Sequence, residues 1–287
     1  DEIEILQVRP IAVDHTRWNV SDLQISEMVQ SAQEHFIALQ SPRATVLGAE
    51  THFGIMPDWN PAEVIGTKPH RLALSLYRDL VTEDVWATQR TEYGYTDVRP
   101  HPLMVTFMGH PYIDIRASFN SFLPDGVDRD IGERLIQHYF QTLKDSPQSH
   151  DKVEFDILFT CWTFDFDAQA ERLRRGGFRE NEISELETAL KAITCKGFLR
   201  LDSDLNNIKT LSEMQKAPID RETGSLDQAI QLIDDCRRYG TLPFAHIARS
   251  AFIAVALLRS AVALGLISEN SQAAFLNSLN TVAKQLS

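Results

Sequence analysis

Past the opening eleven residues, strand-type alternation is confined to residues 103–157, and that confinement decides which folds the chain can reach. Residues 103–108 and 111–116 are short apolar runs bounded by proline and glycine, so they read as strands, with Gly109-His110 as the turn between them. Tyr112, Asp114 and Arg116 then share one face, and Ile113 and Ile115 the other. Residues 152–157 alternate apolar with charged side chains and read as a third strand. Elsewhere the period is helical. Over 20–39 the apolar residues Leu23, Ile25, Met28, Val29, Ala32, Phe36 and Ile37 recur at helical spacing, with Ser21 or Asp22 able to cap the start and Ser41-Pro42 to break the end. Two short helices follow over 72–80 and 83–92, Thr82 capping the second, and a longer one spans 129–143. From Ala168 onward every periodic segment is helical, over about 168–175, 180–200, 207–215, 226–238, 244–266 and 269–286. Gly176-Gly177 and Gly240 fall at C-caps, Pro243 at a start and Ser268 at an N-cap. The expected fold class is therefore α+β, predominantly helical, with a small antiparallel sheet in the front half and an all-α back half. No barrel pattern is present.

At 287 residues the chain can bury one large core or two moderate ones. A net charge of −12 argues against a nucleic-acid partner, which needs a basic surface. Cys161, Cys195 and Cys236 lack metal-ligand spacing and read as reduced thiols of a cytoplasmic protein. The most apolar stretch, 247–267, holds Arg249 and Arg259. Burying these in lipid would cost roughly 2.5–3.5 kcal/mol each, so a core helix is expected and no membrane partner.

Two blocks could carry chemistry. Gly54 to Gly66 places Asp58, Trp59, Asn60 and Glu63 within six residues, bordered by prolines. Such a loop is stiff and can present polar groups with little ordering cost on binding. The structural alternative is capping, with Asn60 or Asp58 starting a helix that has Pro61 at its first position. Residues 68–116 form the second block. Its six cations (Lys68, Arg71, Arg78, Arg90, Arg99, Arg116) and six carboxylates cancel, so the rest of the chain carries the whole negative balance. His70, His101 and His110 lie there too. A locally neutral, arginine-bearing region suits an anionic ligand, and Arg116, beside Asp114 and just before Ser118 and Asn120, is the strongest candidate to hold one. Its structural alternative is an Arg116–Asp114 pair sealing a sheet edge. Asp202, Asp204, Asn206 and Glu213 fall on calcium-loop spacing, but Asn207 stands where that loop needs glycine. Asp165 and Asp167 read as caps, and His150-Asp151 as a turn.

The opening residues 1–11 read as a strand ended by Pro10, and its Gln7-x-Arg9-Pro10 ending resembles the last strand of the nucleotide-binding domain in phosphoenolpyruvate synthase and pyruvate phosphate dikinase. Asp58-Trp-Asn-Pro-Ala-Glu63, Leu72 to Tyr77, Tyr95 to Arg99, Pro111 to Phe122, His150 to Phe155 and Pro243-Phe-Ala245 are similar to the central region of the same multidomain proteins. The resemblance implies a middle section of a larger phosphotransferase that uses ATP and Mg. Gln7 and Arg9 would face the ATP phosphates of a truncated ATP-grasp domain (1–14), followed by an α+β central domain (15–166) and a helical subdomain (167–287). The expected partners are flanking ATP-grasp and phosphohistidine domains and a small anionic or hydroxyl-bearing acceptor. The phosphohistidine loop of the family is missing, so no turnover and no cofactor are expected of this piece alone. On this reading Asp58 or Glu63 is the base toward an acceptor, and Trp59, Asn60, Arg71, His110, Asp114, Arg116 and Asn120 form its pocket. Two alternatives remain: a non-catalytic spacer that positions the swivelling domain, and a free-standing hydrolase using paired carboxylates such as Asp58 and Glu63.

Overall fold

A computed structural model describes residues 20–214, 216 and 225–279; the expected opening strand, with Gln7 and Arg9, lies outside them. The chain divides into two compact units, Asp1–Leu39 and Gln40–Ser287. Helix α1 (Asp22–Gln40) accounts for nearly all of the first unit's described residues. Its start is a reciprocal cap: Ser21 Oγ accepts the Gln24 N–H at 3.3 Å and Gln24 Oε1 accepts the Ser21 N–H at 2.9 Å.

The second unit is helical around a small sheet, as the periodicity requires. Strands β1 (Phe53–Gly54), β2 (Met104–Phe107) and β3 (His110–Asp114) form an antiparallel sheet in the order β1-β3-β2. Ile113 faces Gly54 on one side and Met104 on the other. The β2–β3 turn is Met108-Gly109, both at positive φ (51° and 82°), while His110 already belongs to β3, opposite Phe107.

Two expected strands are corrected. The second ends at Asp114, and the chain turns at once into helix α5 (Ile115–Asn120), because the Asp114 carboxylate accepts the Ala117 N–H and caps it. Arg116 is therefore helical and does not share a sheet face with Asp114. Residues 152–157 are not a strand but a wide π turn, Val153–Ile157, closed by the Leu158 N–H on the Val153 carbonyl (2.9 Å). Val153 and Ile157 are four residues apart and both buried, a spacing that alternation and a helical turn satisfy equally. The third strand is instead the two-residue β1.

The remaining helices are α2 (Pro61–Val64), α3 (Arg71–Tyr77), α4 (Val85–Tyr93), α6 (Arg129–Asp145), α7 (Phe166–Arg175), α8 (Glu180–Met214), α9 (Ser225–Asp235), α10 (Leu242–Ala263) and α11 (Glu269–Ser278). The expected caps at Ser268, whose hydroxyl accepts the Ser271 N–H, and at Gly176-Gly177 are present. Thr82 is no cap: it lies in a π turn, Arg78–Thr82, that runs α3 toward α4, whose N-cap is Asp84. Gly240 is no C-cap either. A π turn, Cys236–Thr241, joins α9 to α10 without a break, because Pro243 has no N–H for the α-helical ladder and its ring needs a widened turn before it. The segments expected at 180–200 and 207–215 are one helix, α8.

One core crosses residue 166. It joins Tyr93, Phe119, Phe122, Leu135 and Tyr139 to Phe166, Leu173, Leu186, Leu190 and Ile253, so the α+β elements and the helices after them bury apolar surface together. Leu226–Ala263 is long and apolar enough, by length and composition, to cross a membrane. Within it, however, Arg249 and Arg259 are answered by this chain's own Glu154 and Phe155.

Candidate functional site

The Asp58-Trp59-Asn60 loop holds three consecutive non-glycine residues in the left-handed region, at φ 48°, 48° and 33°. Asp and Asn tolerate that conformation; Trp does not, and each such residue costs about 1–2 kcal/mol. The loop persists because its surroundings over-determine it. Arg90 Nη2 donates to Asp58 Oδ1 at 2.9 Å, and the Ser118 hydroxyl donates to Asp58 Oδ2 at 2.9 Å. The Tyr77 hydroxyl donates to the Trp59 carbonyl at 2.5 Å, with burial and then the Asp58 charge holding that phenol protonated. Asn60 caps α2 by accepting the Glu63 N–H at 3.2 Å. Strain stored this way is characteristic of sites that present groups in a fixed geometry.

The loop forms one rim of a cleft of about 250 Å³. Helices α4 and α10 and the Val153–Ile157 turn supply the rest: Gln89 and Arg90, then Ala245, Ala248 and Arg249, then Glu154. Trp59, Phe244 and Phe252 are its apolar walls. Two ion pairs lie in it. Arg90–Asp58 is buried, with side chains 3% and 2% exposed. Arg249 Nη2 lies 2.6 Å from Glu154 Oε2, the arginine 4% and the glutamate 14% exposed. Both guanidiniums pack on the Phe122 ring, at 3.6 and 4.7 Å from its centroid. Burial pushes the Arg90 pKa down, Asp58 opposes, and the Arg249 charge pushes it down further. Burial also works against the Arg249 charge, but Glu154, Tyr95 and Asp58 more than restore it.

These donors exceed the acceptors. A guanidinium has five N–H groups, yet among the described residues Arg90 makes one side-chain hydrogen bond and Arg249 one ion pair. Arg90 Nε, Arg249 Nε and Gln89 Nε2 are buried without a hydrogen-bond partner. An unanswered buried donor costs about 1–3 kcal/mol, so three on side chains lining one cleft need a reason.

The expected site residues divide. Asp58 and Trp59 line the cleft; Asn60 adjoins them as the helix cap. Glu63 and Arg71 are exposed, in α2 and at the start of α3, and His110 begins β3; none of them lines the cleft. Asp114, Arg116 and Asn120 are interior bracing. Asp114 accepts from Thr51 Oγ1 (2.5 Å) and contacts His101 Nε2 (2.9 Å), besides capping α5. Arg116 donates to the carbonyls of Gly48 and Ser41, both at 3.2 Å. The Asn120 amide exchanges hydrogen bonds with both the N–H and carbonyl of Leu47. Asp202, Asp204 and Asn206 lie inside α8, where no calcium loop can form, and the described residues contain no group of His, Cys, Asp and Glu able to hold a metal.

Sequence reasoning missed Gln89, Glu154, Arg249, Phe244 and Phe252 as site residues. A signal did exist for the arginines. Arg249 interrupts the most apolar helix of the chain, and Arg90 falls on the α4 face of Trp86, Gln89 and Tyr93, all buried. A cation on a buried stripe demands a partner. No protein-family model matches the chain, and comparison with curated proteins and with solved structures finds no significant match.

Proposed function

We propose that this chain is the acceptor-binding part of a phosphoenolpyruvate synthase-like, ATP-dependent phosphotransferase, and that its acceptor sits in the cleft between the 58–60 loop, α4 and α10. One observation carries the reading: a strained, over-determined loop borders a cleft whose buried donors outnumber the groups that answer them. The sequence similarity to the central region of those proteins supports the parent activity. Gln7 and Arg9, the residues that would face ATP, lie outside the described residues. The role proposed is confined to the acceptor.

Within the cleft, Asp58 is a poor base, since both its oxygens accept hydrogen bonds in place. Glu154 keeps more exposure than Asp58 and is paired with Arg249. Trp59, Phe244 and Phe252 would hold the acceptor's apolar part. The spacer reading draws on a different observation, the hydrogen bonds that tie Asp114, Arg116 and Asn120 to residues 41–51, which mark the sheet region as bracing.

The test is a thermal-shift screen of the full chain against a panel of small metabolites, repeated on Ala248→Trp, which fills the cleft. Hits that stabilise the wild type and fail on Ala248→Trp support acceptor binding. A panel without a hit, or hits indifferent to Ala248→Trp, would leave the spacer reading.

A further inference from the structure

We propose that the cleft takes a small molecule bearing a carboxylate or phosphate group, with the oxyanion on the spare donors of Arg90 and Arg249 in the place held by the Glu154 carboxylate. This rests on the cleft being the binding site and names what it selects.

Three observations lead there. First, of the four described side-chain atoms lining the cleft that are buried without a hydrogen-bond partner, three are donors (Arg90 Nε, Arg249 Nε and Gln89 Nε2) and one, Glu154 Oε2, is an acceptor already beside Arg249, so the ligand must accept hydrogen bonds. Two guanidiniums in one cavity match an oxyanion better than a neutral carbonyl, because each N–H⋯O⁻ bond is charge-assisted. Second, the two carboxylates are held differently. Asp58 is fixed through both oxygens by Arg90 and Ser118. Among the described residues Glu154 is held by Arg249 alone, and it is the more exposed of the two. It is the partner that can leave. Third, the exchange conserves charge. Two arginines and two carboxylates make a neutral set, and an oxyanion that replaces Glu154 as the side chain rotates toward water keeps it neutral. Glu154 thus occupies Arg249 and competes with the ligand. The walls of Trp59, Phe244 and Phe252 suit a planar or apolar body behind the charged group.

The test is isothermal titration calorimetry of the full chain with benzoate, inorganic phosphate and benzyl alcohol, on wild type, Glu154→Gln and Ala248→Trp. Benzoate or phosphate should bind, each arm naming its own oxyanion, with benzyl alcohol at least about tenfold weaker. Ala248→Trp should abolish that binding. Glu154→Gln removes the competing charge at constant shape and should tighten it about tenfold. Benzyl alcohol binding while both anions fail would overturn the oxyanion and leave the cleft standing. None of the three binding overturns both readings, and anion binding that survives Ala248→Trp places the anion elsewhere. Unchanged or weakened binding in Glu154→Gln overturns the exchange. Should that variant not fold, the wild type against Ala248→Trp still decides the site and its charge preference.

Discussion

Arg116 and Arg90 are equally hidden from solvent, yet they sit in opposite kinds of surroundings. Arg116 reaches from α5 to the carbonyls of Ser41 and Gly48, and its neighbours Asp114 and Asn120 bond to Thr51, His101 and Leu47. Backbone carbonyls answer the Arg116 fork, and the product is a brace between the 41–51 segment and α5. Arg90 is answered by one carboxylate oxygen on a strained loop and lies in a cleft with a second arginine in a similar state. Burial alone therefore does not mark a functional arginine. What sets Arg90 apart is its place in a cleft that it shares with a second arginine and the unanswered Gln89 amide.

The sharpest way to break this contrast is Asp58→Asn. It removes the charge partner of Arg90 and leaves a guanidinium buried against a neutral amide, so stability should fall by about 3–5 kcal/mol. Urea denaturation reads it directly, and a loss below about 1 kcal/mol would show that water or ligand, not Asp58, balances Arg90.

Next in size is Arg116→Met. Its two bonds to carbonyls are charge-assisted, and their loss should cost about 2–3 kcal/mol. Binding to the cleft should move less than about twofold, since a brace acts through stability. The opposite pattern, intact stability with binding lost, would restore Arg116 to the ligand role that its place beside Asp114 suggested and would collapse the distinction between the two arginines.

Asn60 measures the strain in the loop. Asn60→Ala loses the α2 cap and forces a Cβ residue without a polar side chain to stay left-handed at φ 33°, for about 1–2 kcal/mol in total. Asn60→Gly loses the same cap but adopts that φ freely, and should cost only a few tenths. Equal costs for the two substitutions would mean that the left-handed turn carries no strain.

The helical frame was legible because periodicity reports it: α1, α6, α7, α10 and the Ser268 cap follow from spacing and cap residues. Local competition defeated the reading elsewhere. At Asp114 a capping carboxylate overrode a strand pattern; at Val153–Ile157 two buried residues four apart suited both periods; at Pro243 a π turn kept one helix continuous where a break was expected. For the site, Asp58 and Trp59 were visible as a dense polar loop. Arg249 and Glu154 lie 95 positions apart and meet only through packing, which spacing cannot foresee. Arg249 argues against a membrane helix, and the same oddity also signals a buried charge in need of company.

The smallest effect belongs to Arg71→Ala, and its smallness is informative. Arg71 is exposed at the first position of α3 and makes no hydrogen bond or ion pair among the described residues. A cation at a helix N-terminus opposes the macrodipole, so its removal should stabilise by a few tenths of a kcal/mol. Ligand binding measured by calorimetry should stay within about twofold, because Arg71 does not line the cleft and a lone surface charge is screened beyond roughly 10 Å at ordinary salt. A tenfold loss would mean that the ligand sits over the start of α3 after all. The spare donors of Arg90 and Arg249 would then have to be answered by buried water rather than by an acceptor.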